Sequence, residues 1–96
     1  MNLVIRPEAE AEIVAAYDYY ETVTKGLGNA FLLAVEACFA GIQRAPEMYA
    51  VLHNDIRRGL LRRFPYGIFY LVEPEQIVIL ACFHARRDPK QWQRRR

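Results

Sequence analysis

A chain of 96 residues has room for one domain and one small core, and 53% hydrophobic with 25% charged residues is not a disordered composition. No apolar run approaches the roughly 20 residues that a membrane span needs, and the acidic start MNLVIRPEAEAE is not expected of a signal peptide. The net charge is only +2, yet residues 1–50 hold three bases and seven acids (net −4) and residues 51–96 ten bases and four acids (net +6), which points to an acidic partner for the second half.

Residues 2–6 (NLVIR) are a short apolar run closed by a proline and predict a strand. Pro7 suits the first turn of a helix, where its missing N–H is not needed, and Glu8, Glu10 and Glu12 complement the dipole there. Ile13, Ala16, Tyr17 and Tyr20 then follow the i, i+3, i+4, i+7 spacing of one apolar face. Thr22, Val23 and Thr24 are poor helix formers and Gly26 can cap, so this helix should stop near Lys25-Gly26. A second helix begins near Leu27 or Gly28. Phe31, Val35, Cys38, Phe39 and Ile42 form its inward stripe, Leu32 and Leu33 widen it, and Pro46 ends it near Arg44. The short connection makes an antiparallel helical hairpin. Residues 46–55 (PEMYAVLHND) read as an irregular crossing.

Three strands follow. Residues 56–64 alternate, with Arg58, Leu60, Arg62 and Phe64 on one face and Arg57, Leu61 and Arg63 on the other. Residues 66–72 (YGIFYLV) and 77–84 (IVILACFH) are nearly continuous apolar runs, joined by the proline turn Glu73-Pro74-Glu75-Gln76. Links this short fit an antiparallel meander. Asp88-Pro89 reads as an N-cap and first helical residue of a short turn through Trp92, and a basic tail at 93–96 is expected to be mobile. The fold class is therefore α+β, one domain over residues 1–96, in the order β-α-α-β-β-β, with a helical hairpin packed on a small antiparallel sheet.

Two helices cover one sheet face only, yet residues 66–72 are apolar on both: Ile68, Tyr70 and Val72 on one, Phe69 and Leu71 on the other. The second face needs a cover, either strand curvature with the C-terminal segment or a partner.

The chemistry-bearing residues are few. His53 and His84 do not make a metal spacing, no phosphate-cradling glycine loop is present, and the chain has no serine, which excludes serine nucleophile chemistry. Cys38 on a helix stripe and Cys82 inside a strand read as reduced packing residues of a cytosolic protein rather than as nucleophiles or a disulfide. What remains is an arginine set with His84 and Trp92. In a meander, Arg62 and Arg63 end one strand where Arg86 and Arg87 follow another, so the two pairs should converge at one end of the sheet. The alternative is that they ion-pair with Asp55, Asp88 or the acidic helix. Trp92 reads as a cap over the core more than as a stacking platform.

Taken together and in order, EAEIVAAYDYY, LGNAFLLAVE, RAPEMY, RRFPYGIFYLV and HARRDPKQW resemble the RelE/ParE family, toxins of bacterial type II toxin–antitoxin modules, over nearly the whole chain. The resemblance implies a helical hairpin against a small antiparallel sheet, a cytoplasmic location, no cofactor or metal, and a cognate antitoxin bound in a toxin–antitoxin hetero-oligomer. The antitoxin would add a helix or strand to the apolar hairpin and sheet surface, for which Tyr17, Tyr20, Leu32, Phe69 and Leu71 are the candidates. RelE-like members cleave mRNA on the ribosome and ParE-like members inhibit DNA gyrase. The ribonuclease branch keeps an arginine after the tyrosine that begins the middle strand, a second after the last strand and a tyrosine a few residues later. This chain has Gly67, Arg86 and Trp92 at those places, and it ends in Arg94-Arg95-Arg96 where other ribonuclease branches carry histidines or His-Tyr. Tryptophan cannot move a proton, so two of three positions depart and the ParE-like reading, a gyrase inhibitor that is not an enzyme, is favoured. Arg62, Arg63, Arg86, Arg87 and Trp92 would then face the target. In the alternative, an mRNA endonuclease with a variant site, His84, Arg86 and Arg63 would carry the chemistry.

Overall fold

Pro7 and the acidic turn behind it start a helix as expected. The structure, a computed structural model, describes residues 1–95. A first strand β1 (Asn2–Ile5) leads into α1 (Pro7–Val23), which buries Ala9, Ile13 and Ala16 along one face. Helix α2 (Leu27–Arg44) returns antiparallel to it and buries Phe31, Val35, Cys38 and Ile42. The turn between them is built by two devices. Gly26 takes φ +90, a left-handed conformation that glycine adopts without cost. The Glu21 carboxylate accepts the amides of Gly26 (3.0 Å) and Gly28 (2.9 Å), satisfying orphan donors at the start of α2 and placing negative charge at its positive end. A Cβ at Gly28 would lie 2.8 Å from the Tyr17 ring, so only glycine lets the helices meet there.

The remaining elements are β2 (Val51–His53), β3 (Ile56–Leu60), β4 (Tyr66–Val72), β5 (Gln76–His84) and a short α3 (Lys90–Gln93). The strands form one sheet in the order β1-β5-β4-β3-β2. Strands β2 to β5 pair antiparallel, but β1 runs parallel to β5, so the sheet is mixed rather than antiparallel. The irregular crossing expected at 46–55 contains an extra edge strand. His53 pairs with Ile56 across the two-residue loop Asn54-Asp55, and Asn54 supplies the φ of 51 that such a loop needs. The strand expected over 56–64 ends at Leu60, and both Leu61 and Phe64 turn toward the helices instead of alternating.

Side chains sort into two clusters. Between helices and sheet lie Ile13, Phe31, Ile42, Phe64, Ile68, Tyr70, Ile77 and Ile79 with their neighbours. A fully buried Ile or Phe of this kind contributes about 1.5–3 kcal/mol. On the other sheet face lie Ile56, Phe69, Leu71, Val78, Leu80, Ala81, Phe83 and Trp92. A bulge makes this second set possible: Phe69 pairs with Ala81 and Tyr70 with Ile79, leaving Leu80 as the extra residue, so Leu80 and Ala81 both join the second face.

The chain itself supplies the cover that the second face needs. Trp92 stacks on Phe69 at 4.2 Å between ring centroids. Asp88 caps the amide of Lys90 (3.0 Å), setting the short helix that carries the tryptophan. Of the basic tail at 93–96, Arg94 is exposed, Arg95 is bonded to the body of the fold, and Arg96 lies outside the described residues. Arg95 pairs with both oxygens of Glu12 (2.9 and 2.8 Å), donates to the Leu80 carbonyl (3.1 Å) and lies over the Phe83 ring, while Arg6 donates to the Arg95 carbonyl. Glu12 also accepts the Cys82 amide (3.0 Å). Strand β1 stops at Ile5, and Arg6 makes the last bond to β5 at Ile79. Beyond that point the Glu12–Arg95 pair satisfies the edge of β5 that no strand reaches.

Candidate functional site at the basic end of the sheet

The ladder brings three segments to one end of the sheet. Leu60 pairs with Gly67, Tyr66 pairs with His84, and the Ala85 amide donates to the Pro65 carbonyl (2.7 Å). Arg62 and Arg63 in the β3–β4 loop and Arg86 and Arg87 after β5 therefore gather at the same end. They do not share one face. Arg62 and Arg63 line a groove against α2, whereas Arg87 lines a cavity on the opposite side.

The groove has a volume of about 470 Å³. Its floor is made of small residues of α2 (Ala30, Ala34, Ala37, Gly41), its rim carries Arg44, Arg62 and Arg63, and Leu33 and Leu60 stand exposed along it. This surface is not legible in the sequence, where Leu33 reads as widening the α2 stripe and Leu60 as one position of an alternating strand. Arg63 holds φ 71, which costs a non-glycine residue about 1 kcal/mol, and its guanidinium lies over Phe64 at 5.7 Å.

The cavity on the other face measures about 220 Å³ and is lined by Arg58, Leu60, Gly67, Phe69, Phe83, His84, Ala85, Arg87, Pro89 and Trp92. Gly67 shapes it. A Cβ there would fall 2.9 Å from Arg58 Cδ and 3.0 Å from its Cγ, so the Arg58 stem crosses the place where another residue would carry a side chain. Arg87 is fixed over Phe83 at 4.5 Å and donates to Gln91 (3.0 Å). Arg57, the residue before Arg58, is engaged elsewhere, donating to the carbonyls of Glu47 (3.0 Å) and Tyr49 (2.7 Å).

Groups that could move a proton are poorly arranged. The His84 ring stands edge-on to Tyr66 at 5.2 Å, and Tyr66 in turn meets Tyr20 and Phe31 on the helical side. His84 Nδ1 accepts the Arg86 amide (3.0 Å). Burial raises the Tyr66 hydroxyl above its ordinary range, with Arg87 opposing in part, so it keeps its proton at neutral pH. Burial likewise pushes the thiols up, Cys38 to about 11 and Cys82 to about 12, so neither is a thiolate nucleophile, in line with their buried, unbridged state. Among the described residues no group of three or more His, Cys, Asp or Glu is placed to hold a metal ion.

The candidates for partner contact are divided. Leu32, Tyr17 and Tyr20 are half-buried on the hairpin, with Tyr20 inside an aromatic group of Phe31, Phe64 and Tyr66. Phe69 and Leu71 are buried, Phe69 beneath Trp92 and both within the second cluster, so they present no open surface for an added segment. Trp92 is itself 6% exposed and caps the face. The ion pair that the acidic helix makes goes to Arg95, and among the described residues none engages Arg58, Arg62, Arg63, Arg86 or Arg87.

This architecture and chain have relatives. The family described as the ParE toxin of the type II toxin–antitoxin system parDE matches residues 3–89. "Toxin ParE2" of two Mycobacterium tuberculosis strains (CDC 1551 / Oshkosh and ATCC 25618 / H37Rv) is 29% identical over 89 residues, 92% of this chain and 85% of the relative. A solved chain of the chromosomal ParDE TA system from P. aeruginosa superposes with a TM-score of 0.67 at 21% identity, covering 88% of this chain and 95% of that one, which shows the fold. The match over most of its length places this chain in the ParE toxin family of type II toxin–antitoxin systems.

Proposed function

We propose that this toxin acts in the cytoplasm as an inhibitor of DNA gyrase with no cleavage chemistry of its own, and that Arg62, Arg63, Arg86 and Arg87 face the target. The observation that carries the reading is the separation at the basic end. Among the described residues no ion pair engages these arginines, and His84 at this end is in ring contact only with Tyr66, whose hydroxyl burial keeps protonated and so unable to serve as a base at neutral pH. General acid–base cleavage of RNA needs two positioned proton carriers, whereas a surface that holds an acidic target needs only cations. Purified toxin is expected to block gyrase supercoiling and to leave translated mRNA intact. Position-specific cuts in mRNA during translation, lost in His84→Ala or Arg86→Ala, would overturn it in favour of the endonuclease reading.

A toxin of such a system has an antitoxin partner. Its docking place, in this proposal, is the α2 groove extending toward Leu32 and Tyr20. The small floor residues admit a helix closely, Leu33 and Leu60 offer apolar contact, and Arg44, Arg62 and Arg63 favour an acidic segment. Leu33→Glu with Leu60→Glu should weaken antitoxin binding at least tenfold in calorimetry without loss of the folded signal.

A further inference from the structure

The cavity beneath α3 has a composition that the fold does not require. Two guanidinium side chains from different elements, Arg58 on β3 and Arg87 after β5, line one space of about 220 Å³, and no carboxylate is among the residues that line it. Neither arginine makes an ion pair among the described residues. With no carboxylate among the described residues that line their space, two cations partly walled by Phe69, Phe83 and Trp92 repel one another more strongly than they would in open water. Arg87 is held by Phe83 and Gln91, and the Arg58 stem runs through the space where a Gly67 side chain would lie. An anion between them removes that repulsion.

Size and shape narrow the class. Small-molecule pockets run to about 300–1,000 Å³, and this one is smaller, with room for about seven waters at roughly 30 Å³ each. It suits one compact anion, not a whole nucleotide. One guanidinium satisfies a planar carboxylate by a bidentate pair, whereas two guanidiniums from different elements match the several oxygens of a tetrahedral group. We propose that the Arg58–Arg87 cavity binds a phosphate group, either as free phosphate or as a phosphodiester of a nucleic-acid backbone. The site binds and does no chemistry. It does not rest on the gyrase reading, since a toxin that leaves gyrase untouched would still carry it.

The test is a two-dimensional NMR titration of the isolated toxin with sodium phosphate at constant ionic strength, following backbone amides and arginine Nε–H groups. Saturable shifts centred on Arg58, Gly67 and Arg87 are expected. Arg58→Gln should weaken binding by about tenfold, the loss of one charge-assisted hydrogen-bonding group. Gly67→Ala, which keeps both charges but displaces the Arg58 stem, should weaken it as well while the other amide signals stay in place. A short oligothymidine run in parallel assigns the source. Shifts at the same residues and displacement of phosphate identify a phosphodiester, and phosphate binding without them identifies the free ion. The proposal is overturned if shifts grow linearly without saturation, if acetate reproduces them at equal concentration, or if they are unchanged in folded Arg58→Gln.

Discussion

One face of the sheet is buried by two helices of 17 and 18 residues, the other by a four-residue helix, one tryptophan and an arginine clasp. The helical face is continuous: Phe31 and Ile42 are fully buried, and aromatic rings from α1, α2, the β3–β4 loop and β4 meet one another at 4.9 to 5.4 Å. The opposite face is closed by pieces, each with its own bond: Asp88 to Lys90, Trp92 on Phe69, Arg95 to Glu12. The difference teaches where each function can sit. A continuous packed layer resists change, whereas a cover assembled from separate contacts leaves a cavity at its margin, and the two arginines of that cavity lie there.

The largest expected effect separates the two covers directly. Phe31→Ala should destabilise by about 4 kcal/mol and Trp92→Ala by about 3 kcal/mol, because the edge of the C-terminal cover can collapse into the space and the helical core cannot. Against a total of about 5–15 kcal/mol, the first leaves little folded protein. Urea denaturation measures both, and only Trp92→Ala should yield a folded protein that binds a hydrophobic dye, through uncovered Phe69. Equal dye binding by both variants would remove the distinction.

The clasp comes next. Arg95→Ala takes away two bonds to Glu12, one to the Leu80 carbonyl and the contact with Phe83. The two side chains are 19% and 15% exposed, so solvent screens the pair only in part. A loss of about 2 kcal/mol is expected, with faster exchange of the Cys82 amide that Glu12 accepts and little change in the helical hairpin.

How far the two faces could be read beforehand follows from the same contrast. Helix α1, helix α2 and strands β4 and β5 were legible because their periods are strong: the Phe31–Val35–Cys38–Ile42 stripe and the apolar runs at 66–72 and 77–84 admit few alternatives. Strand β2 was not, since Val51 and Leu52 are both exposed and three residues cannot show a period. The bulge at Leu80 was hidden inside a run where every residue is apolar. The basic end was legible in its topology, because strand order alone brings Arg62-Arg63 near Arg86-Arg87. Its division between faces was not. That depends on the strand ending at Leu60 and on Arg58 lying diagonally across the ladder from Gly67, and neither is a local property of sequence. Glu12 and Glu21 looked like helix-surface charge, and their roles exist only once β5 and α2 are beside them.

A pH ramp acts on the helical face, and less strongly than these substitutions. Burial holds Tyr70 and Cys82 at about 12, above ordinary values of 10.0 and 9.0. Raised folded-state values favour the protonated forms, so their contribution to stability is whole below about pH 9 and is lost as pH rises from there toward 12. Stability by chemical denaturation should thus be flat on account of these groups from pH 6 to 8 and fall above about 9. Cys82→Ala, if it remains folded, should make that fall shallower but leave its start near pH 9, where Cys38, held at about 11, still contributes.

The smallest effect concerns the loop that joins the two faces. Arg63 is held at φ 71, where its Cβ crowds the backbone, and glycine would remove that crowding. Glycine also gains freedom in the unfolded chain, which takes back part of the benefit. Arg63→Gly should therefore change stability by less than about 1 kcal/mol, toward greater stability, while removing one cation from the groove. A variant that folds as well as the parent but binds antitoxin or target more weakly would mean that the strained backbone is kept for the direction it gives the arginine. If binding is unchanged, the left-handed turn serves only to carry the chain from β3 to β4, and the basic rim of the groove reduces to Arg44 and Arg62.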